Sequence, residues 1–112
     1  LHDALPISST DRFIRATYLR HQLRCSHNED ENLMNCFKVL ESVSIPQGAV
    51  IDANKIHYTQ YQLVMESKER SYYIKPYFSN QIFKIKLTED LLSKNEMTFL
   101  PINHELKITS IQ

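Results

Sequence analysis

The sequence has little glycine, no tryptophan and no excess of charge. Its 112 residues include one Gly and two Cys, and 13 Lys and Arg balance 13 Asp and Glu. A chain without net charge lacks the electrostatic footprint of a protein that binds nucleic acid or anionic membranes non-specifically. No apolar run approaches the roughly 20 residues that span a bilayer. We therefore expect neither a nucleic-acid partner nor a membrane partner.

Two cysteines, Cys25 and Cys36, are too few for a disulfide framework, and their spacing fits neither a zinc pair nor a redox CxxC motif. We expect two buried free thiols. Five histidines are scattered singly. A metal cluster of Cys25, His27 and His21 would not converge with Cys36 at tetrahedral distances. The sequence therefore predicts no metal and no cofactor.

Length and composition fit one modest domain or a piece of a larger one. Residues 1–8 fit no helix start, and we interpret them as non-native or as the remnant of a loop. Residues 9–112 are then the folded part. The N-terminus also lacks the basic start and apolar core of a signal peptide.

Two helices are predicted in the first half of the chain. The first begins after N-cap oxygens at residues 9–11 and runs to about Leu23. Its apolar stripe, at helical spacing, consists of Ala16, Leu19 and Leu23 and is widened by Phe13. We expect this stripe to face the core and the two helices to pack antiparallel.

The second helix begins at Glu29 with three acidic residues in its first turn, where the helix dipole favours negative charge. Pro46 and the one glycine, Gly48, end it. Its predicted buried face consists of Leu33, Cys36, Phe37, Leu40 and Val43.

After Gly48 the period of the pattern changes from helical to two. Residues 57–65 and 71–77 flank a charged SKER turn and predict an antiparallel hairpin, and residues 83–87 predict a third strand. Pro76 cannot donate to a ladder, so the second strand must end, bulge or lie at an edge there. A short further strand is expected from residues 98–102 and 106–111. Helices followed by strands predict the α+β class.

Arg12 conflicts with two local rules. It shares the predicted core-facing stripe of the first helix, and an unpaired charge in a dry site is costly. It also stands in the first helical turn, where the dipole opposes a positive charge by ~0.3–1 kcal/mol. Such conflicts often mark a functional residue. The alternative is a structural arginine whose head reaches water.

Three segments carry a resemblance to a known family. They read STDRFIR at residues 9–15, FKVLESVSIPQGAV at residues 37–50 and YTQYQLVMESKERSYYIKPYFSNQI at residues 58–82. In collinear order they resemble the C-terminal third of the choloylglycine hydrolase family, which contains the penicillin V acylases and bile salt hydrolases. Pro76 and Phe78 depart from the tyrosine-rich pattern of that family, and we assign this third segment to the scaffold.

The resemblance implies that residues 9–112 are the C-terminal part of a choloylglycine hydrolase-like domain. They would be a fragment of the four-layer αββα sandwich of N-terminal-nucleophile hydrolases and would contribute two helices and an antiparallel sheet. In that family an N-terminal cysteine, which this chain lacks, attacks a linear amide. The chain alone is therefore expected to be inactive. For the whole enzyme the resemblance implies a small acyl-amide substrate, no cofactor and a homo-oligomer, a tetramer.

Arg12 is the one catalytic residue that the resemblance assigns within this chain. The family motif S-x-x-R-F-[VI]-R is matched by residues 9–15, and its first arginine belongs to the group around the nucleophile. A guanidinium beside a thiol favours the thiolate and holds carboxylates by paired hydrogen bonds. Arg15 is interpreted as a structural ion-pair former.

A second class of function stays open from the residues themselves. Neutral charge, the lack of a catalytic cluster and exposed strand edges also fit an α+β interaction module without chemistry. Nucleic-acid binding is a third and more distant alternative, because the arginines of the first helix point in different directions and no aromatic platform accompanies them.

Overall fold

The computed structural model describes residues 8–112. Its elements are α1 (Ser9–Gln22), α2 (Glu29–Ser42), β1 (Val50–Asp52), β2 (Lys55–His57), β3 (Tyr61–Glu66), β4 (Ser71–Pro76), β5 (Phe83–Lys86) and α3 (Glu89–Leu92). The chain divides into two compact units, Leu1–Thr59 and Gln60–Gln112. The predicted order of helices followed by antiparallel strands is confirmed. Within residues 8–112, no helix is long and apolar enough to cross a membrane.

The predicted first helix is confirmed as α1, but its cap and its apolar face differ from the prediction. Ser8 is the N-cap, and its hydroxyl accepts a hydrogen bond from the Asp11 N–H at 3.1 Å. Ala16 and Leu19 are half-buried, whereas Phe13 is 71% exposed. Leu23 is 37% exposed and is the C-cap beyond the end of α1, so only part of the predicted stripe is covered. Helical spacing could not show how much of the stripe another element covers.

The predicted second helix is confirmed as α2, with Asn28 as its N-cap. The Asn28 side chain accepts hydrogen bonds from the N–H groups of Asp30 and Glu31. Phe37 is buried, with 3% of its surface exposed. Cys36, one position before it, is exposed, so its predicted place on the buried face is wrong. Adjacent residues lie about 100° apart around a helix, and Phe37 alone takes the central position of the covered face.

The segment between α2 and β3 contains a hairpin that the sequence pattern did not predict. The Ala49 N–H donates to the Pro46 carbonyl, and Gly48 has φ 95 in this turn, a value that favours glycine. β1 and β2 then pair antiparallel. His57, predicted to open the long hairpin strand, instead lies in β2. The hairpin was missed because its turn, Ala53 and Asn54, lacks the usual Gly.

β3, β4 and β5 form an antiparallel sheet with β4 in the centre. The predicted hairpin around residues 67–70 is confirmed, and the Glu66 carboxylate accepts from the N–H groups of Lys68 and Glu69 in its loop. β4 ends at Pro76, as its missing N–H predicts. The register gives the sheet one continuous apolar face, which consists of Tyr61, Leu63, Met65, Tyr72, Ile74, Pro76, Phe83 and Ile85.

The predicted strand within residues 98–111 is wrong, because that segment forms no ladder within the described chain. Side-chain amides hold its backbone instead. Asn80 donates from Nδ2 to the Lys107 carbonyl at 2.7 Å and accepts the Lys107 N–H at Oδ1, 3.0 Å away. Gln81 donates from Nε2 to the Glu105 carbonyl at 3.3 Å. These bonds satisfy backbone groups that a neighbouring strand would otherwise pair.

Candidate functional site

Arg12 lies where the start of α1 meets the end of α2. Its side chain is half-buried, and Nε donates to the carbonyl oxygen of Val43 at 2.9 Å, across 31 residues of sequence. Val43 is the C-cap of α2. The contact joins the first turn of one helix to the last turn of the other, as antiparallel packing requires. The Arg12 side chain is therefore restrained by a hydrogen bond to a neighbouring helix and is partly covered.

The end of α2 also resolves the electrostatic conflict at Arg12. The carbonyl groups of a final helical turn carry a partial negative charge, which favours a nearby cation by about 0.3–1 kcal/mol. This is the same size as the cost of placing Arg12 in the first turn of α1, so the two helix ends offset each other. The sequence predicted that Arg12 needs a partner, and the partner is a backbone carbonyl.

Short hydrogen bonds hold the turn that carries this carbonyl. The Val43 N–H donates to the Leu40 carbonyl, and the Ser44 hydroxyl donates to the same oxygen at 3.0 Å. One residue further on, the Ile45 N–H donates to Thr59 Oγ1 at 2.8 Å, and the Thr59 N–H returns a bond to the Ile45 carbonyl at 2.9 Å. We call residues 12, 43, 44, 45 and 59 the Arg12 cluster.

The Arg12 cluster contains residues from all three segments that resemble the family. Arg12 comes from the first, residues 43–45 come from the second, and Thr59 comes from the third. Sequence reasoning had assigned Thr59 to the scaffold and had not considered the Val43 carbonyl. The positive charge of Arg12 in a first helical turn could have indicated such a partner. A cation in that position is stabilised when the C-terminal end of another helix lies nearby.

Arg15 does not form the ion pair predicted for it within the described part of the chain. Its side chain is exposed. Ion pairs within the described residues include Arg70 with Glu89 and Lys84 with Glu69. Arg15 therefore differs from Arg12 in both burial and contacts, although the two lie one helical turn apart.

Both cysteines are free, as predicted, but both are exposed and not buried. No group of three or more His, Cys, Asp or Glu side chains within residues 8–112 could hold a metal ion. The nucleophile expected from the resemblance is an N-terminal cysteine with a free α-amine, and Cys25 and Cys36 are internal residues. Neither cysteine among residues 8–112 therefore has the free α-amine that this nucleophile uses.

The tyrosine-rich segment supplies two strands, β3 and β4, of the three-stranded sheet in the second unit. Tyr73 pairs with Lys84 across β4 and β5, and the Lys84 ammonium lies 5.6 Å from the centre of its ring. Interaction with Tyr73, followed by the smaller effect of Glu69, raises the pKa of Lys84 above its ordinary value. Two further tyrosines line an apolar cavity of about 350 Å³, whose walls are Gln60, Tyr61, Leu63, Tyr72, Ile74, Pro76, Ile102 and His104.

Residues 4–100 match the model of the linear amide C–N hydrolases of the choloylglycine hydrolase family. The chain belongs to the choloylglycine hydrolase family. Among curated members, the conjugated bile acid hydrolase of Lactobacillus acidophilus is 33% identical over 72 residues, which are 63% of this chain. The bile salt hydrolase/transferase of Lactiplantibacillus plantarum is 24% identical over 106 residues, or 94% of this chain.

Solved structures of choloylglycine hydrolases share the fold. A variant of the conjugated bile acid hydrolase from Clostridium perfringens matches 97% of this chain with a TM-score of 0.74 at 23% identity. The penicillin V acylase from Agrobacterium tumefaciens matches 84% with a TM-score of 0.63 at 28% identity. These likenesses confirm the predicted α+β class and show that the chain has part of the fold of these hydrolases.

The chain spans about a third or less of the length of the choloylglycine hydrolases that it matches. The matched regions cover 22% and 33% of the two curated relatives and 33% and 31% of the two solved chains. The predicted resemblance to this family is confirmed.

Proposed function

We propose that this chain is the C-terminal part of an enzyme that hydrolyses linear amide C–N bonds, and that Arg12 belongs to its active site. The family match over residues 4–100 carries the proposal for the reaction. The proposal for Arg12 is supported by its motif and by the 2.9 Å bond to Val43, which restrains a half-buried guanidinium. A restrained guanidinium suits catalysis because preorganised charge costs no rearrangement during the reaction.

In the proposed reaction, the thiol of an N-terminal cysteine outside this chain attacks the acyl carbon of the amide. The cysteine α-amine takes the thiol proton and passes it to the leaving amine as the C–N bond breaks, which leaves a cysteinyl thioester. Water then hydrolyses the thioester, releasing the carboxylic acid and regenerating the thiol. With Nε bound to Val43, the terminal nitrogens of Arg12 would stabilise the thiolate and hold a neighbouring carboxylate.

The names of the relatives suggest the class of substrate. Two are hydrolases of conjugated bile acids or bile salts, and one is an acylase of penicillin V. All of these substrates are acyl amides. We propose a small acyl amide of this kind as the substrate, with conjugated bile acids and penicillin V as the first compounds to test.

The experiment compares Arg12→Lys with Arg15→Lys in the full-length enzyme. Lysine keeps the charge of Arg12 but loses both Nε and the planar fork, so we expect kcat/KM to fall by about 10²-fold or more. Arg15→Lys is the matched control because Arg15 is exposed in the same helix, and its kcat/KM should change by less than about threefold. Hydrolysis of a glycine-conjugated bile acid and of penicillin V is measured, with Tm alongside.

Equal, small losses of kcat/KM in the two variants would show that Arg12 has no special part in the reaction. Absence of amide hydrolysis by the unsubstituted full-length protein on both substrates would count against the proposed reaction itself.

A further inference from the structure

Thr59 and Ile45 are joined by two hydrogen bonds of opposite direction. Thr59 Oγ1 accepts the Ile45 N–H at 2.8 Å, and the Thr59 N–H donates to the Ile45 carbonyl at 2.9 Å. Both residues are half-buried. Two bonds in opposite directions fix the position and the orientation of the Ile45 peptide groups, whereas one bond would leave a rotation free.

The held residue lies two positions from the carbonyl that binds Arg12. Peptide units are planar, so the chain between Val43 and Ile45 can move only through a few backbone dihedrals. The Ser44 hydroxyl restrains the same stretch by its 3.0 Å bond to the Leu40 carbonyl. Fixing Ile45 therefore limits where the Val43 carbonyl can point, and that carbonyl accepts the Nε bond of Arg12 at 2.9 Å.

We infer that Thr59 is a positioning residue for Arg12, acting through residues 43–45. This inference rests on the proposed function, in which Arg12 contacts the reacting groups. Thr59 itself touches no substrate in this account. Its hydroxyl sets the direction of the Val43 carbonyl, the carbonyl sets the plane of the guanidinium, and that plane decides where the terminal nitrogens lie. Small misplacements of such a group are costly to rate.

The test compares three variants of the full-length enzyme by kcat, KM and Tm. Thr59→Val keeps the shape but removes the acceptor of the Ile45 N–H, and we expect kcat to fall about tenfold or more while KM changes less than about threefold. Thr59→Ser keeps the hydroxyl and should therefore keep most of the kcat of the unsubstituted enzyme. Thr88→Val is the matched control, because the Thr88 hydroxyl also accepts a backbone N–H, that of Leu91 at 3.2 Å, at the start of α3. It should lower Tm and leave kcat unchanged.

A double-mutant cycle separates positioning from general damage. If Thr59 acts through Arg12, adding Thr59→Val to Arg12→Lys should lower kcat by less than about twofold, because the group being positioned is already lost. Multiplicative losses of kcat overturn the inference. So does a Thr59→Val enzyme that loses Tm but keeps kcat.

Failure of the proposed function gives a different result. If Arg12→Lys keeps full kcat, the proposed role of Arg12 is wrong, and the Nε–H resonance of Arg12 then decides the positional link by itself. A shifted and faster-exchanging Nε–H signal in Thr59→Val, with the normal signal in Thr59→Ser, supports the link. An unchanged signal in Thr59→Val overturns it.

Discussion

Arg12 shows how a residue that is unfavourable in its own helix becomes favourable through another. The first turn of α1 opposes its charge, and the carbonyl of Val43 at the end of α2 favours it. Lysine could provide the charge but not the Nε donor, because its charge sits on a single rotating ammonium. The choice of arginine at this position thus follows from geometry, and charge alone does not explain it.

Ser71 poses the opposite case, a buried polar group without compensation. Only 1% of its surface is exposed, and its hydroxyl has no hydrogen-bond partner within the described chain. Removing an unpaired buried hydroxyl relieves its desolvation penalty. We expect Ser71→Ala to raise the free energy of unfolding by up to about 1 kcal/mol, measured by melting of the full-length enzyme.

Ser79 provides the control for this prediction. It is also buried, at 5% exposure, but its hydroxyl accepts the Gln81 N–H at 3.0 Å. Ser79→Ala should therefore lower the free energy of unfolding by about 1 kcal/mol. If both substitutions are equally destabilising, the Ser71 hydroxyl has a stabilising partner and the prediction is wrong.

At the scale of elements, the β1–β2 hairpin has a turn whose conformation its sequence does not favour. Ala53 and Asn54 have φ of 48 and 67, the left-handed region that a type I′ turn requires. Asn tolerates this region, whereas an alanine Cβ crowds the following carbonyl. The pairing of β1 with β2 must therefore compensate for strain at Ala53.

We expect Ala53→Asn to stabilise the hairpin by up to about 1 kcal/mol, because asparagine adopts the left-handed conformation more readily. Ala53→Val should be destabilising, since a β-branched side chain is still more crowded there. The position is exposed, so packing changes little in either variant. Melting temperatures of the two variants are compared, and a higher Tm for valine than for asparagine would contradict the strain at Ala53.

At the scale of the whole molecule, many large apolar side chains among the described residues are exposed. Phe37 is the one buried large apolar side chain among residues 8–112, while Tyr61, Met65 and Phe99 are 58%, 67% and 82% exposed. β3 and β5 are the two edges of their sheet. Open edges and apolar faces favour association with other chains.

These open faces lead us to expect that the chain expressed alone self-associates. Because the proposed nucleophile lies outside this chain, we also expect no amide hydrolysis. Size-exclusion chromatography should find species larger than the 13.2 kDa monomer, and assays with penicillin V and a glycine-conjugated bile acid should find no turnover. The penicillin V acylase from Agrobacterium tumefaciens, run in the same assay, is the positive control. A monomer that melts cooperatively, or one that turns over either substrate, would contradict this prediction.

Local signals in the sequence determined the helices, the β3–β4 hairpin and the end of β4. Caps, helical spacing and a proline act within a few residues of where they stand, so no distant information was needed. The sequence also determined that Arg12 is in conflict with its position. That conflict depends only on the charge of Arg12 and its place in α1.

Tertiary structure decided which faces are covered and what satisfies Arg12. Periodicity gives the direction of a side chain but not the presence of a neighbour, so Phe13 and Cys36 were predicted to be buried and are exposed. The partner of Arg12 is a backbone carbonyl 31 residues away, and Ile45 and Thr59 are 14 residues apart. Every residue has a carbonyl, so only the packing of α1 against α2 selects the one at Val43.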